Sequence, residues 1–327
     1  MIKLCRESKP QERLQLAQRT RAEWRLRTRT LELGARTLVM GVVNVTPDSF
    51  SDGGRYLDPD AAIAHGLQLL DEGADILDLG AESTRPGSRA GGADASVNAA
   101  EETTRLLPVL KGILSARPDA TLSVDTYKAA TARAALEVGA EIVNDVSGFT
   151  WDDGLAEVCA EFGAGVVIMH TRGRPDEWRD QPQVEGDTLV AMVRDGLARS
   201  METAARAGVA LESVVLDPGY GFGKRFGENY TLLARQAELL ALGRPLLAGL
   251  SRKSFLAHTL AGMQKAIGAP HENVSLTREN ISLDARENAS LTAMTAAILN
   301  GASIVRVHAA RAAVEAARIA DAICNVE

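Results

Sequence analysis

The chain has 327 residues, a formal net charge of -7 and 46% hydrophobic residues, with only 4% aromatic. Ala, Val, Ile and Leu must therefore fill the core, and the length suits one large α/β domain or two small ones. The acidic balance argues against a general nucleic-acid binder, which would need a basic face. No apolar run approaches the roughly 18–20 residues of a membrane span, and the N-terminus shows no apolar secretory segment. Three scattered cysteines (Cys5, Cys159, Cys324) lack metal spacing and fit a reducing, cytoplasmic setting.

Residues 1–36 are a charged prelude, with Arg13, Arg19, Arg25 and Arg29 set among Glu7, Glu12, Glu23 and Glu32. They read as a solvated helix or an extension capping the bottom of the fold. The interspersed acids weigh against an RNA-binding or partner-binding arm. The next stretch, MGVVNVTPDSFSDGG (Met40–Gly54), organises the chain. An apolar run ending at Asn44 reads as a strand buried on both faces, followed by a polar, glycine-terminated loop of the kind that closes over a ligand. Asp58-Pro59 then starts a helix with an N-cap and an N1 proline, carrying Ile63, Leu67 and Leu70 as its stripe and stopping at Gly73.

Strand and helix alternate from there to the end. Strands are expected at Asp75–Gly80, Thr121–Val124, Glu141–Val143, Gly165–Met169, Val214–Leu216, Pro245–Leu250 and Ser303–Val305. Helices are expected near Val97–Leu114, Lys128–Val138, Gly154–Phe162, Asp187–Ala207, Tyr230–Leu242, Glu287–Leu299 and Ala312–Ile323. The loop Thr171–Gln183 is polar and proline-punctuated and reads as mobile, and the polar, irregular Gly262–Asp284 reads as an insertion or a short helix with a loop. About eight strand–helix repeats with no linker between them imply right-handed parallel crossovers closing into a (β/α)8 TIM barrel, a single domain over residues 37–327. A doubly wound open sheet would need a second domain to use so many units.

In such barrels the chemistry sits at the C-terminal ends of the strands. The residues there are Asn44, the Glu82–Gly87 loop, Asp125, Asn144, His170, Asp217, Ser251 with Lys253, and Arg306 with His308. Taken singly, Asp125 and Asn144 would serve as helix caps, Asp217-Pro218-Gly219 as a turn and His170 as a core histidine. Together they exceed capping, because Lys253, Arg306 and His308 cannot cap helix N-termini. Ser251, Arg252, Lys253, Arg306 and His308 form one wall suited to an anion. Asp125, Asn144 and Asp217, across from it, offer acceptors for a nitrogen-rich ring. A phosphorylated heterocycle is the expected substrate. Gly219–Lys224 fails the P-loop pattern, which would need Gly at Pro218 and Ser or Thr at Arg225.

Seven stretches in order closely resemble dihydropteroate synthases: Gly41–Gly54, ESTRPG (Glu82–Gly87), SVDTYK (Ser123–Lys128), NDVSG (Asn144–Gly148), LDPGYGFGK (Leu216–Lys224), SRKSFL (Ser251–Leu256) and RVH (Arg306–His308). The resemblance implies a (β/α)8 transferase of folate biosynthesis that joins p-aminobenzoate to a dihydropterin diphosphate and releases pyrophosphate. It implies that Thr84, Asp125, Asn144, Asp217 and Lys253 hold the pterin, and that Arg306 and His308 grip the leaving group. Asn44 would ligate Mg2+, and Arg85, Pro86, Phe222 and Ser251 would form the aminobenzoate pocket. Phe50 and Asp52 would close over a cationic intermediate, with Asp52 supplying charge in a water-excluded site. A cytoplasmic homodimer with small-molecule substrates follows from the same resemblance.

Four departures from the family pattern stand out: His170-Thr171, Glu228-Asn229, Ala309 after RVH, and the loop through Trp178. A pterin-dependent methyltransferase domain would not need SRK and RVH. A non-catalytic pterin-binding paralogue would not need both the TPDSFSDGG and STRPG loops.

Overall fold

A computed structural model describes residues 19, 21–46, 58–84, 88, 90–91, 97–184, 186–266 and 281–326. The elements run β1 (Ala22–Arg25), β2 (Thr30–Leu33), β3 (Leu38–Asn44), α1 (Pro59–Asp71), β4 (Ile76–Gly80), α2 (Ala99–Ala116), β5 (Leu122–Asp125) and α3 (Ala129–Glu137). They continue β6 (Ile142–Asp145), α4 (Leu155–Phe162), β7 (Gly165–Met169), α5 (Gly186–Ala207), β8 (Val214–Asp217), α6 (Phe226–Ala234) and β9 (Leu246–Ala248). The last are α7 (Ser254–Ala266), α8 (Leu283–Leu299), β10 (Ala302–Val307) and α9 (Ala310–Cys324). Strands β3 to β10 close into one barrel in the order β10-β3-β4-β5-β6-β7-β8-β9, and the barrel pairs are parallel. The eight expected strands are all present, and the barrel is the (β/α)8 architecture that the alternation implied.

Side chains alternate along a strand, and that parity separates two cores. Met40, Ile76, Ile142, Val167, Val215, Leu247 and Ile304 fill the barrel interior. Val43, Leu77, Val124, Ile168 and Leu216 pack outward against the helices. The first helix starts as read, with the Asp58 carboxylate accepting from Asp60 N and Pro59 in the first turn. Its buried face is shifted from the expected stripe: Ala62, Gly66 and Leu69 are buried, while Ile63, Leu67 and Leu70 flank them.

Of the two readings of the prelude, a solvated helix and an extension capping the bottom of the fold, residues 22–33 bear out the second. Residues 22–33 are not helical: β1 and β2 form an antiparallel hairpin with one exposed face. Trp24, Leu26 and Leu33 belong to the same apolar cluster as the barrel interior, so the hairpin plugs the barrel's N-terminal end. Trp24 is fully buried and its Nε1 donates to Ser213 O at 2.8 Å. A Cβ on Gly165, the first residue of β7, would lie 2.4 Å from Leu26 Cδ2. Glycine there is what lets the plug seat.

Two further differences lie between β9 and β10. α7, for which no helix was expected, runs into the start of the 262–284 segment, and α8 begins at Leu283, earlier than Glu287, because the Ser282 hydroxyl caps Ala285 N. The expected insertion falls largely on residues 267–280, outside the described residues.

Candidate active site

The parity that fills the lower barrel with apolar side chains places polar ones one step higher. Two residues beyond Ile76, Ile142, Val215 and Ile304 come Asp78, Asn144, Asp217 and Arg306. Asp125 ends β5, beside Asn144 in the strand register. Asp125, Asn144, Asp217 and Arg306 line a cavity of ≈ 460 Å³, counting its open mouth, at the C-terminal end of the barrel. Thr84, Phe222, Ser251, Lys253 and His308 complete its wall from the segments that follow the strands. The sequence reading missed its apolar members, Val146, Met169 and Tyr220. Met169 shares the inward parity of Val167, so the signal was available.

Not every expected residue joins this cavity. Asn44 is exposed at the end of β3, on the same rim but outside the cavity lining. Phe50, Asp52, Arg85 and Pro86 lie outside the described residues. His170 is a core histidine: its ring packs against α5, where a Cβ on Gly196 would lie 2.5 Å from His170 Cδ2. Burial, then the nearby Lys224 and Arg172, hold its imidazole well below the usual histidine range, so it is neutral. Arg252 lies outside the cavity lining, and its Nε donates to Glu287 of α8.

The two walls read from the sequence interlock. Arg306 Nε donates to Asp78 Oδ2 at 2.6 Å, and its terminal nitrogen donates to Asp125 Oδ2 at 2.7 Å. Asn144 Nδ2 donates to the same Asp78 oxygen at 2.9 Å. Asp217 Oδ1 accepts from Gly219 N at 2.7 Å, which holds the turn after β8. Ser251 Oγ lies 2.8 Å from His308 Nδ1. Lys253 Nζ sits 3.9 Å from the centre of the Phe222 ring, a cation–π contact.

Burial pushes the Asp125 and Asp217 carboxyls above the usual carboxylate range, against the opposing pull of Arg306 on Asp125 and of Gly219 N–H and Lys253 on Asp217. Burial likewise lowers Lys253 to about 8, opposed by Asp217 and Asp125 and aided by Arg306. Lys224 is occupied otherwise. Its Nζ donates to three carbonyls, His170 O at 3.0 Å, Gly219 O at 2.8 Å and Phe222 O at 3.3 Å. That tripod fixes the loop bearing Phe222 and agrees with rejecting a phosphate loop here. Gly219 has φ +71°, and a Cβ there would lie 1.9 Å from His170 O, so no side chain fits.

Two supporting networks went unseen in the sequence. Lys128 Nζ donates to Glu82 at 2.5 Å and to Glu102 at 3.0 Å. Tyr127 OH donates to Glu82 at 2.9 Å and accepts from Gly91 N at 2.9 Å, bridging the two sides of the segment that carries Thr84. The second network corrects the expectation of a mobile Thr171–Gln183 loop. Arg172 is buried, with bonds to Gly223 O, Pro182 O and Glu228. Glu228 also accepts from Val184 N and Arg225 N. Trp178 is buried, donates to Gly173 O and meets Phe222 edge-on at 5.1 Å.

Comparison with known proteins agrees with this geometry. Residues 40–308 match the family described as pterin binding enzyme. The dihydropteroate synthase of Mycobacterium leprae is 44% identical over 284 residues, 87% of this chain and 92% of that protein. The Xanthomonas albilineans dihydropteroate synthase with 4-aminobenzoic acid superposes with a TM-score of 0.77 at 37% identity, covering 94% of this chain and 100% of the other. The same enzyme in complex with 7,8-dihydropteroate gives 0.74 at 35%, covering 93% and 100%. Sequence, barrel and cavity together place this chain among the pterin-binding enzymes, in the dihydropteroate synthase family.

Proposed function

We propose that this chain joins p-aminobenzoate to the methylene carbon of 6-hydroxymethyl-7,8-dihydropterin diphosphate, and that the cavity described above is where it does so. The methylene C–O bond breaks and pyrophosphate leaves. The aniline nitrogen then forms the new C–N bond and loses a proton. The observation that carries the reading is the composition of one cavity: Asp125, Asn144 and Asp217 set deep in the barrel, with Lys253, Arg306 and His308 beside them. Carboxylate and amide acceptors match the amino-pyrimidinone edge of a pterin. Charge-assisted donors match a leaving diphosphate.

In this reading Thr84, Asp125, Asn144, Asp217 and Lys253 orient the ring, and Arg306 and His308 face the diphosphate. Phe222 and Ser251, with Arg85 and Pro86, bound the aminobenzoate. Phe50 and Asp52 cover the cationic methylene. Among the described residues no group of three or more His, Cys, Asp or Glu is arranged to hold a metal. The exposed Asn44 offers one oxygen, the donor set of a Mg2+ held mainly by phosphate and water. Bound with the substrate, Mg2+ would neutralise charge on the diphosphate. A cytoplasmic homodimer is part of the same proposal; Ile319 and Ile323, exposed one turn apart on α9, give it an apolar surface.

The test is pyrophosphate release and dihydropteroate formation by the purified protein with dihydropterin diphosphate and Mg2+, with and without p-aminobenzoate. Turnover that needs both substrates and is lost in Asp125→Ala is the expected result. Pterin binding without turnover would overturn the catalytic reading in favour of a binding paralogue.

A further inference from the structure

Asp78 has no part in the roles above, yet two of the cavity's polar groups depend on it. It lies inside β4, fully buried, with inward parity two residues beyond Ile76, and it does not line the cavity itself. Its Oδ2 accepts from both Arg306 Nε and Asn144 Nδ2. Its Oδ1 has no hydrogen-bond partner in the structure, and neither does Ser123 Oγ, its register neighbour on β5. A carboxylate placed for stability alone would be expected to satisfy both oxygens. This one instead commits a single oxygen to two residues of the cavity wall.

We propose that Asp78 is a positioning residue that sets the hydrogen-bond polarity of the ring-binding slot. Asp78 Oδ2 accepts from Arg306 Nε and from Asn144 Nδ2, so Asn144 presents its NH2 to Asp78. The amide oxygen is thereby left as the acceptor on the other branch, available to a ligand N–H. The same carboxylate, together with Asp125, fixes the plane of the Arg306 guanidinium, because Nε and a terminal nitrogen are each tied to a different acid. The slot is therefore built for a ring edge rich in donors, and Asp78 is what prevents the amide from turning over.

The inference rests on the pterin reading of the cavity, and its test separates the two. Affinities are measured for a 2-amino-4-oxopteridine and for its 2,4-dioxo analogue, which has an acceptor in place of the amine. If the unsubstituted protein binds neither, the pterin reading itself fails. Otherwise the protein prefers the amino compound. Asp78→Asn, whose amide can donate and so lets Asn144 flip, weakens the amino compound by about ten- to a hundredfold, as for a lost hydrogen bond to a charged group. The dioxo analogue loses less, so the preference narrows. A general loosening of the barrel would weaken both alike. Ser123→Ala, which breaks no bond to Asn144 or Arg306, keeps the preference. Should Asp78→Asn fail to fold, Asp78→Ser is measured in the same way. An unchanged preference in the Asp78 variant, or equal narrowing in Ser123→Ala, overturns the proposal.

Discussion

Removing the Lys128 ammonium should destabilise the barrel far more than the loss of an ordinary lysine. Its side chain is 11% exposed, and its partners Glu82 and Glu102 are 4% and 1% exposed. Thr131 Oγ1 and Tyr127 OH add hydrogen bonds to the two carboxylates but no positive charge. Lys128→Met therefore leaves two buried carboxylates without a cation, and breaking a buried pair in this way costs about 3–5 kcal/mol. At roughly 2 °C per kcal/mol for a domain at the upper end of the size range, the melting temperature should fall by about 6–10 °C. Glu102 and Glu82 raise the Lys128 pKa above its ordinary value despite burial. A raised lysine pKa contributes stability that is complete below the unfolded value of about 10.4 and is lost as pH rises through the folded one. The full deficit should thus be present at pH 7.

Thermal unfolding of wild type, Lys128→Met and Lys128→Met/Glu102→Gln checks this. The double variant removes one uncompensated carboxylate and should recover a substantial part of the loss. Lys128→Met melting within about 2 °C of wild type would refute the reasoning, because each kcal/mol should be worth about that much.

Pterin affinity should be highest in a window limited on both sides. It falls as pH rises through about 8, where Lys253 loses its proton, and falls on the acid side as Asp125 takes one up above the usual carboxylate range; calorimetric titration from pH 5 to 9 measures it, and a flat profile sinks the assignment. Trp178→Ala should raise the KM for p-aminobenzoate while leaving that for the pterin diphosphate unchanged, since Trp178 backs Phe222 without lining the cavity. Equal changes in both would show a general loss of packing instead.

The rim was legible because each barrel strand changes from apolar to polar at its C-terminal end, a contrast visible in one dimension. What escaped was polar chemistry that the contrast does not mark. Asp78 lies within the apolar DILDLG run, and only the period-2 parity shared with Ile76 shows that it faces inward. The hairpin escaped because the prelude is rich in charge, ten basic residues among 1–36, whereas Trp24, Leu26, Leu31 and Leu33 carry the alternation. The Thr171–Gln183 loop looked free because its anchors, Glu228 and Phe222, come some 40 or more residues later in the chain. No local pattern signals such a partner.

The anion wall and the ring wall meet through Arg306, and their interlocking explains how the barrel tolerates its charges. Three acids, Asp78, Asp125 and Asp217, sit at its upper end with Arg306 and Lys253. Set apart on opposite walls, each would be a poorly solvated charge, costly to bury alone. Interlocked, Arg306 joins Asp78 and Asp125 across the barrel, and Asp217 bonds to the Gly219 N–H under the influence of Lys253. The slot is therefore close to neutral at depth, which suits a neutral heterocycle better than an anion. An anion is better placed nearer the mouth, where His308 follows β10 and the exposed Asn44 ends β3. The strand parity that builds the apolar core thus also fits the proposed substrate, with its ring inside and its phosphate toward the rim.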